Sequence, residues 1–165
     1  MAEAADGLAI RSYRAADLDA LIGLVRELQA FEQHIYDRLV PEAEIGAWYV
    51  ERLLADCVVH KGEIRVATRG QLIVGYATIM TDVVCDEERD EIVYSYAYVG
   101  DLSVTATERG QGVGQALLAD CEAIARATGA KWLRITAHAA NDRARKLYCA
   151  FGFREQFVDH EKILD

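Results

Sequence analysis

The stretch TERGQGVGQALL, residues 107–118, places three alternating glycines just before apolar residues that recur at helical spacing. Gly110, Gly112 and Gly114 follow Arg109, and an alternating apolar segment ending near Val104 predicts a strand before them. The first amides of a helix have no intrahelical partner, and the helix dipole adds positive potential there. Bare backbone in that position therefore favours an anion site over the alternative, a tight turn before an ordinary helix.

Two common phosphate-binding loops do not match this stretch. The dinucleotide pattern G-x-G-x-x-G fails, because the sixth residue counted from Gly110 is Gln115. The next predicted strand, KWLRITA at residues 131–137, also lacks a closing acidic residue that would hold a ribose. No G-x-x-x-x-G-K-[ST] occurs, which excludes the nucleoside triphosphatase loop.

The composition of the 165 residues predicts a single domain, residues 1–165, with a sizeable core. Apolar residues make up 52% of the chain, which argues against disorder. A net charge of −9 repels phosphate, so we expect no nucleic-acid partner. The same charge suits either a cationic small molecule or simple solubility.

The cysteines and the N-terminus predict a cytoplasmic protein. Four cysteines are scattered without paired spacing, so we expect them to be reduced. Cys57 and His60 form one C-x-x-H, but no second pair completes a metal site, and we expect no metal. The first ten residues lack a signal-peptide pattern, and no apolar run is long enough to span a membrane.

The order of predicted elements is β-α-α-β-β-β-α-β-α-β, a mixed α/β domain. Helices are predicted from Leu18 with Asp17 as its cap, from Pro41 to about Ala55, over residues 113–129, and in a short segment ending before Gly152. Strands are predicted at residues 8–14, 63–70, 71–84, 91–104, 131–137 (a buried strand) and, as one or two strands, 153–164. Residues 85–92 read as a charged turn.

Two motifs resemble the GCN5-related N-acetyltransferase (GNAT) family. The first is R/Q-x-x-G-x-G/A, matched by Arg109, Gly112 and Gly114. The second is N-x-x-A/S-x-x-x-Y-x-x-x-G-F, matched in register by Asn141, Ala144, Tyr148, Gly152 and Phe153. The resemblance implies a mostly antiparallel central sheet with about four helices and a splayed pair of fourth and fifth strands. It also implies acetyl-CoA as the acetyl donor.

The same resemblance implies roles for individual residues. The backbone of Leu102, Ser103 and Val104 would pair with pantetheine, and one amide there would polarise the thioester. Tyr148 would be the general acid, and either Asp101 or a water relay the general base. Among the basic residues that follow Asn141, we expect Arg145 to meet the phosphates and at least two of the three to be solvated. The remaining donor-site residues would be Arg109, Gly110, Gln111, Gly112, Val113, Gly114, Gln115 and Asn141.

The N-terminal half points weakly to a subfamily. LIGLVRELQAFEQ, residues 21–33, resembles a segment of diamine acetyltransferases of the spermidine/spermine type. That resemblance implies an acceptor pocket formed by Phe31, Glu32, His34 and Tyr36. Gly100 departs from it, because those enzymes carry a glutamate beside the aspartate equivalent to Asp101. The charged turn would either attract a polycation or form a solvated hairpin tip.

These observations predict an acetyl-CoA-dependent N-acetyltransferase that acts on a small, cationic primary amine. The sequence shows no activated cysteine or Ser-His pair, so we expect direct transfer in a ternary complex. One alternative is a non-catalytic acyl-CoA-binding sensor. Another is a protein N-terminal or lysine acetyltransferase, which would need an open groove. Dimers are frequent in the resembled family, so the resemblance leaves a homodimer open.

Overall fold

The computed structural model describes residues 7–86 and 90–164, and a five-stranded sheet forms its centre. Sequential strands are neighbours, in the order β1-β2-β3-β4-β5. All neighbours are antiparallel except β4 and β5, which run parallel. The strands are β1 Leu8–Ser12, β2 Glu63–Arg69, β3 Leu72–Cys85, β4 Tyr94–Val104 and β5 Leu133–Ile135.

Helices cover both faces of the sheet. They are α1 Leu18–Glu32, α2 Ala47–Val59, α3 Val113–Ala127 and α4 Asp142–Phe151. The apolar stripes of α1 and α2 pack on one face around the buried side chains of Leu21 and Tyr76. The stripe of α3 packs on the other face around Val99 and Leu117. Each fully buried aliphatic side chain contributes about 1.5–3 kcal/mol, so these two layers fix the sheet between the helices.

The architecture confirms the predicted mixed α/β class, the four helices and the splayed strand pair. β5 pairs with β4 only through Ala97, Tyr98 and Val99. From Gly100 to Val104, the edge of β4 facing β5 therefore has no strand partner within the described chain. None of the helices in the described chain is long and apolar enough to cross a membrane.

Two helix starts differ from the prediction. A short 3-10 turn, Glu42–Glu44, follows Pro41, and α2 begins only at Ala47 because Ile45 is extended and fully buried. The Asp17 carboxylate does not cap α1. It accepts two bonds of 2.7 and 2.9 Å from Arg11 and one of 2.8 Å from the Arg14 amide, which orders the 3-10 turn before the helix.

The strand predicted at residues 131–137 is shorter than expected, and the one or two strands predicted at residues 153–164 are wrong. Within residues 131–137 only Leu133–Ile135 forms a strand, and it is half-buried because its outer edge is uncovered. Residues 153–164 form no strand and are mostly exposed, because their apolar residues come in adjacent pairs that belong to no single strand face. Ion pairs hold this segment instead: Glu155 with Arg145 and Glu161 with Arg38.

The charged turn is described only in part. Residues 87–89 lie outside the described residues, while Asp86, Asp90 and Glu91 are exposed. This exposure suits a solvated hairpin tip, and it leaves an electrostatic role toward a polycation as a prediction.

Candidate active site

The loop between β4 and α3 presents bare backbone at the start of a helix. Gly110 and Gly112 have φ values of +79° and +82°, in the left-handed region that favours glycine. Gly112 is the N-cap of α3 and supplies no side-chain capping bond. A Cβ at either glycine would meet nothing within 4 Å, so open space faces both. This geometry is that of an anion site at a helix N-terminus.

Helix α1 clamps the beginning of that loop through Glu27. Its carboxylate accepts bonds of 3.0 Å from the Thr105 hydroxyl and 2.6 Å from the Ala106 amide. It also accepts a hydrogen bond of 3.1 Å from the Arg109 guanidinium. The Nε of the same guanidinium donates a bond of 2.8 Å to the Val104 carbonyl. Arg109 therefore stiffens the loop, and its contact with a phosphate stays a prediction.

A cavity of about 340 Å³, the predicted donor cavity, opens beside the loop, between β4, α3 and α4. Its wall brings together most of the residues predicted to hold the donor, although they lie up to 46 positions apart in the chain. It also includes Phe31 from α1 and Arg143 from α4. The predicted residues in the wall are Leu102, Ser103, Val104, Arg109, Gly110, Gly112, Gly114, Gln115, Asn141 and Tyr148.

Three predicted donor-site side chains point elsewhere. Gln111 donates to the Thr107 carbonyl at 3.0 Å, and Val113 is buried in the core under the sheet. Arg145 binds Glu155 at 2.6 Å and does not line the cavity. Gln111 and Val113 can therefore serve a ligand only through their backbone.

A bulge in β4 decides where Asp101 points. Across β3, Ala77 pairs with Leu102 and Ile79 with Val99, so Gly100 and Asp101 together oppose Thr78. The Asp101 amide donates to the Thr78 hydroxyl at 2.9 Å instead of to the β3 backbone. A bulge re-aims a side chain in this way, and it turns Asp101 toward the face covered by α1 and α2.

The Asp101 carboxylate is largely buried between two tyrosines. Its Oδ2 accepts a hydrogen bond of 3.1 Å from the Tyr49 hydroxyl and one of 2.9 Å from the Tyr76 hydroxyl. Burial raises the pKa of Asp101, and the two hydroxyls oppose that rise only in part. Burial also raises the pKa values of both tyrosines, so they stay protonated donors. A carboxylate with a raised pKa is a stronger proton acceptor.

Tyr148 stands across the site from Asp101, on α4. Burial raises its pKa, and the negative charges of Glu32 and Asp101 add to the rise. Its ring packs edge-on against Phe153, with centroids 6.0 Å apart. No group in the part of the chain that the structure describes accepts a hydrogen bond from its hydroxyl. The hydroxyl is therefore a proton donor available to a ligand.

The predicted acceptor residues lie at the end of α1 and in the loop after it. Phe31 lines the donor cavity, and the guanidinium carbon of Arg109 lies 5.9 Å from the centre of its ring. Glu32 is half-buried, and burial raises its pKa. His34 is exposed, whereas Tyr36 stacks on His138 with centroids 4.9 Å apart. Glu32 thus lies within electrostatic reach of Asp101 and Tyr148, whereas His34 faces solvent.

Sequence reasoning missed several residues that converge here. Tyr49 and Tyr76 donate hydrogen bonds to Asp101, and His138 interacts with the Glu32 carboxylate. Tyr49 and Tyr76 follow ordinary core spacing, however, and His138 lies in a loop. A second cavity, of about 220 Å³, lies between α2 and the bulge and includes Asp56 and Asp101 in its wall. Within residues 7–86 and 90–164, no group of three potential ligands is arranged to hold a metal ion.

Comparisons with solved structures identify the same fold. The BH1408 protein from Bacillus halodurans, as a point mutant, is 21% identical, with a TM-score of 0.84 over 94% of this chain and 99% of that one. A Trypanosoma brucei acetyltransferase is 19% identical, with a TM-score of 0.63 over 95% and 99%. The aminoglycoside acetyltransferase meta-AAC0020 from an uncultured soil metagenomic sample is 23% identical, with a TM-score of 0.65 over 99% and 100%. At these identities the likeness concerns the fold alone.

The sequence comparison settles the family. No curated protein matches the chain significantly. The model of the Acetyltransferase (GNAT) family matches residues 22–153, which includes the glycine loop, the bulged strand and the helix that carries Tyr148. The chain therefore belongs to the GNAT acetyltransferase family and is an N-acetyltransferase.

Proposed function

We propose that the protein transfers the acetyl group of acetyl-CoA to a small, cationic primary amine by direct attack within a ternary complex. The observation that carries this proposal is the placement of two proton-transfer groups, a carboxylate and a phenol, on either side of β4. Asp101 is buried at the bulge, while Tyr148 and the glycine loop line the donor cavity. The acceptor and the donor would therefore meet at residues 101–103.

The donor cavity suits the pyrophosphate and pantetheine of coenzyme A. The backbone amides at the start of α3, beside Gly110 and Gly112, lie next to open space and would hold the pyrophosphate. The edge of β4 at Leu102, Ser103 and Val104, which has no strand partner on the side of β5, would hold the pantetheine. A phosphate oxygen needs N–H donors and close backbone approach, and the loop offers both. The β4 edge offers amides to the amide groups of pantetheine and to the thioester oxygen.

The proposed reaction uses three proton transfers, two from the nitrogen of the acceptor and one to the sulfur of the donor. Asp101, directly or through one water, accepts a proton from the acceptor's ammonium. The neutral nitrogen then attacks the thioester carbon, so that a C–N bond forms and the C–S bond breaks. Tyr148, which burial keeps protonated, donates its proton to the departing sulfur. The Tyr148 phenolate then takes the second proton from the acylated nitrogen, directly or through water, so that the products are a neutral amide and the free thiol of coenzyme A.

Cysteine chemistry does not support an acyl-enzyme route. Cys57 lines the second cavity, but burial raises its pKa to about 11, so it is a thiol at neutral pH. A thiolate is the nucleophilic form. This supports direct attack by the amine.

The acceptor region favours a cation. Glu32 and Asp101 supply negative charge, while Tyr49, Tyr98 and Tyr148 supply aromatic rings around them. Carboxylates and aromatic faces both attract an ammonium ion. The structural neighbour that is an aminoglycoside acetyltransferase adds aminoglycosides to the candidate acceptors.

The test is release of free coenzyme A from acetyl-CoA across a panel of diamines, polyamines, aminoglycosides, amino acids and peptides. We expect turnover with small cationic primary amines and none with their N,N-dimethylated counterparts, which cannot form a stable amide. If coenzyme A binds and no amine raises turnover above hydrolysis, the non-catalytic sensor replaces this proposal. Preference for peptide amines would favour a protein acetyltransferase.

A further inference from the structure

We propose that His138 is a positioning residue for the acceptor site. Its ring holds Tyr36, and with it the loop at residues 33–41, beside Glu32. The inference rests on the proposed amine acetyltransfer for its kinetic test, and a second test is independent of activity. Neither the family motifs nor the sequence pattern assigns His138 a role.

Two contacts hold His138 in place. Its ring stacks on Tyr36 with centroids 4.9 Å apart and an interplanar angle of 25°. Its carbonyl accepts the Asn141 amide at 2.8 Å, in the turn that leads into α4. Asn141 in turn caps α4 through the Ala144 amide at 3.1 Å. The position of the His138 ring is therefore tied to the helix that carries Tyr148.

Tyr36 connects this ring to the end of α1. Its amide donates to the Glu32 carbonyl at 2.9 Å, so a shift of Tyr36 also shifts the turn that follows Glu32. The Arg38 guanidinium lies 4.6 Å from the centre of the same ring, and it makes two bonds of 2.7 Å to the Glu161 carboxylate. The Tyr36 ring is thus occupied by protein groups, and it acts as a support for the loop.

The electrostatic surroundings explain why this support matters for the amine. Glu32 is half-buried, and its carboxylate interacts with both His138 and Asp101. Burial raises the pKa of Glu32, while His138 opposes that rise and so favours the charged carboxylate. A cationic acceptor needs that charge at a fixed place, because misplacement by about 1 Å can cost a large factor in rate or binding.

The kinetic test compares His138→Ala with His138→Phe. Loss of one stacked ring pair corresponds to about a 2- to 10-fold effect. We expect His138→Ala to raise the KM for the amine by that factor, with kcat and the Kd for coenzyme A changed less than twofold. His138→Phe keeps a ring on Tyr36 and should restore most of the KM. His160→Ala is the matched control, because His160 is an exposed histidine on the C-terminal segment.

The second test measures tryptic cleavage after Arg38, by mass spectrometry of the fragment that ends there. We expect His138→Ala to be cut about 2- to 10-fold faster than the wild type, since cleavage tracks local opening of the loop. His138→Phe should be cut at nearly the wild-type rate. This readout holds even if no amine is turned over, which would refute the proposed function alone.

Three results would overturn the inference. One is an unchanged cleavage rate in His138→Ala. Another is failure of His138→Phe to restore both readouts. A third is a parallel fall in kcat and in coenzyme A affinity, which would place His138 in the donor site. If His138→Ala does not fold, Tyr36→Leu removes the same stack from the other side and must give the same cleavage phenotype.

Discussion

Replacing Gly112 by alanine tests the glycine loop most directly. Gly112 has a φ of +82°, and a Cβ there would meet no atom within 4 Å, so the variant loses stability only through its backbone. The left-handed conformation costs a residue with a Cβ about 1–2 kcal/mol. For a chain of this length, that lowers the midpoint of thermal unfolding by about 2–8 °C. The new methyl group would also occupy the space where the proposed phosphate approaches the backbone.

Loss of one hydrogen bond to a charged group costs about 1.5–3 kcal/mol. We therefore expect coenzyme A to bind Gly112→Ala about 10- to 100-fold more weakly, measured by titration calorimetry. Gly70→Ala is the matched control: Gly70 has a φ of +57° and equally open surroundings, but it lies in the β2–β3 turn, outside the donor cavity. Both variants should lose similar stability. If both also bind coenzyme A equally well, the loop does not hold the pyrophosphate.

Three further predictions concern the catalytic and loop residues. Tyr148→Phe should lower kcat about 100-fold and leave the Kd for coenzyme A within twofold; unchanged turnover removes Tyr148 from the mechanism. Asp101→Asn should lower kcat/KM by a similar factor. Because burial raises the pKa of Asp101 in the folded state, the wild type loses stability as pH rises through that pKa. The thermal midpoint of Asp101→Asn minus that of the wild type should therefore increase from pH 4 to pH 8, and a flat difference would contradict a raised pKa. Arg109→Ala should weaken coenzyme A about 10-fold, whereas Glu27→Ala, which loosens the loop but keeps the cation, should weaken it less; equal losses would mean that Arg109 only stiffens the loop.

Local patterns predicted where the glycine loop and the two helices beside it lie, while the donor role of their residues stays a prediction. The glycine loop and α3 depend on contiguous residues whose spacing alone specifies a strand, a turn and an amphipathic helix. Asn141 caps α4 and Tyr148 lies seven positions further along, two turns into that helix, so their common direction toward the cavity also follows from spacing. These features needed no knowledge of distant contacts.

The acceptor side could not be predicted in the same way. Period-two alternation fails at Gly100 and Asp101, since the bulge adds one residue to β4 opposite Thr78. The tyrosines that bind Asp101 come from α2 and β3, and nothing in their local sequence distinguishes them from core residues. The C-terminal strands were mispredicted because their apolar residues suggested burial, while ion pairs to Arg38 and Arg145 hold the segment at the surface.

Gly100 lies in the bulge, next to the proposed acceptor site. A Cβ at this position would lie 2.8 Å from the Thr78 hydroxyl oxygen and 2.9 Å from the Met80 methyl carbon, so a larger residue requires Thr78 or Met80 to move. The Thr78 hydroxyl also accepts the hydrogen bond from the Asp101 amide. The glutamate that diamine acetyltransferases carry beside their aspartate would therefore disturb the bond that sets the direction of Asp101 in this chain. With glycine here, the negative charge facing the proposed acceptor depends on Asp101 and Glu32, and the second cavity keeps its room beside Asp101. The proposed cationic acceptor would thus meet fewer carboxylates and more open space than the diamine resemblance alone implies.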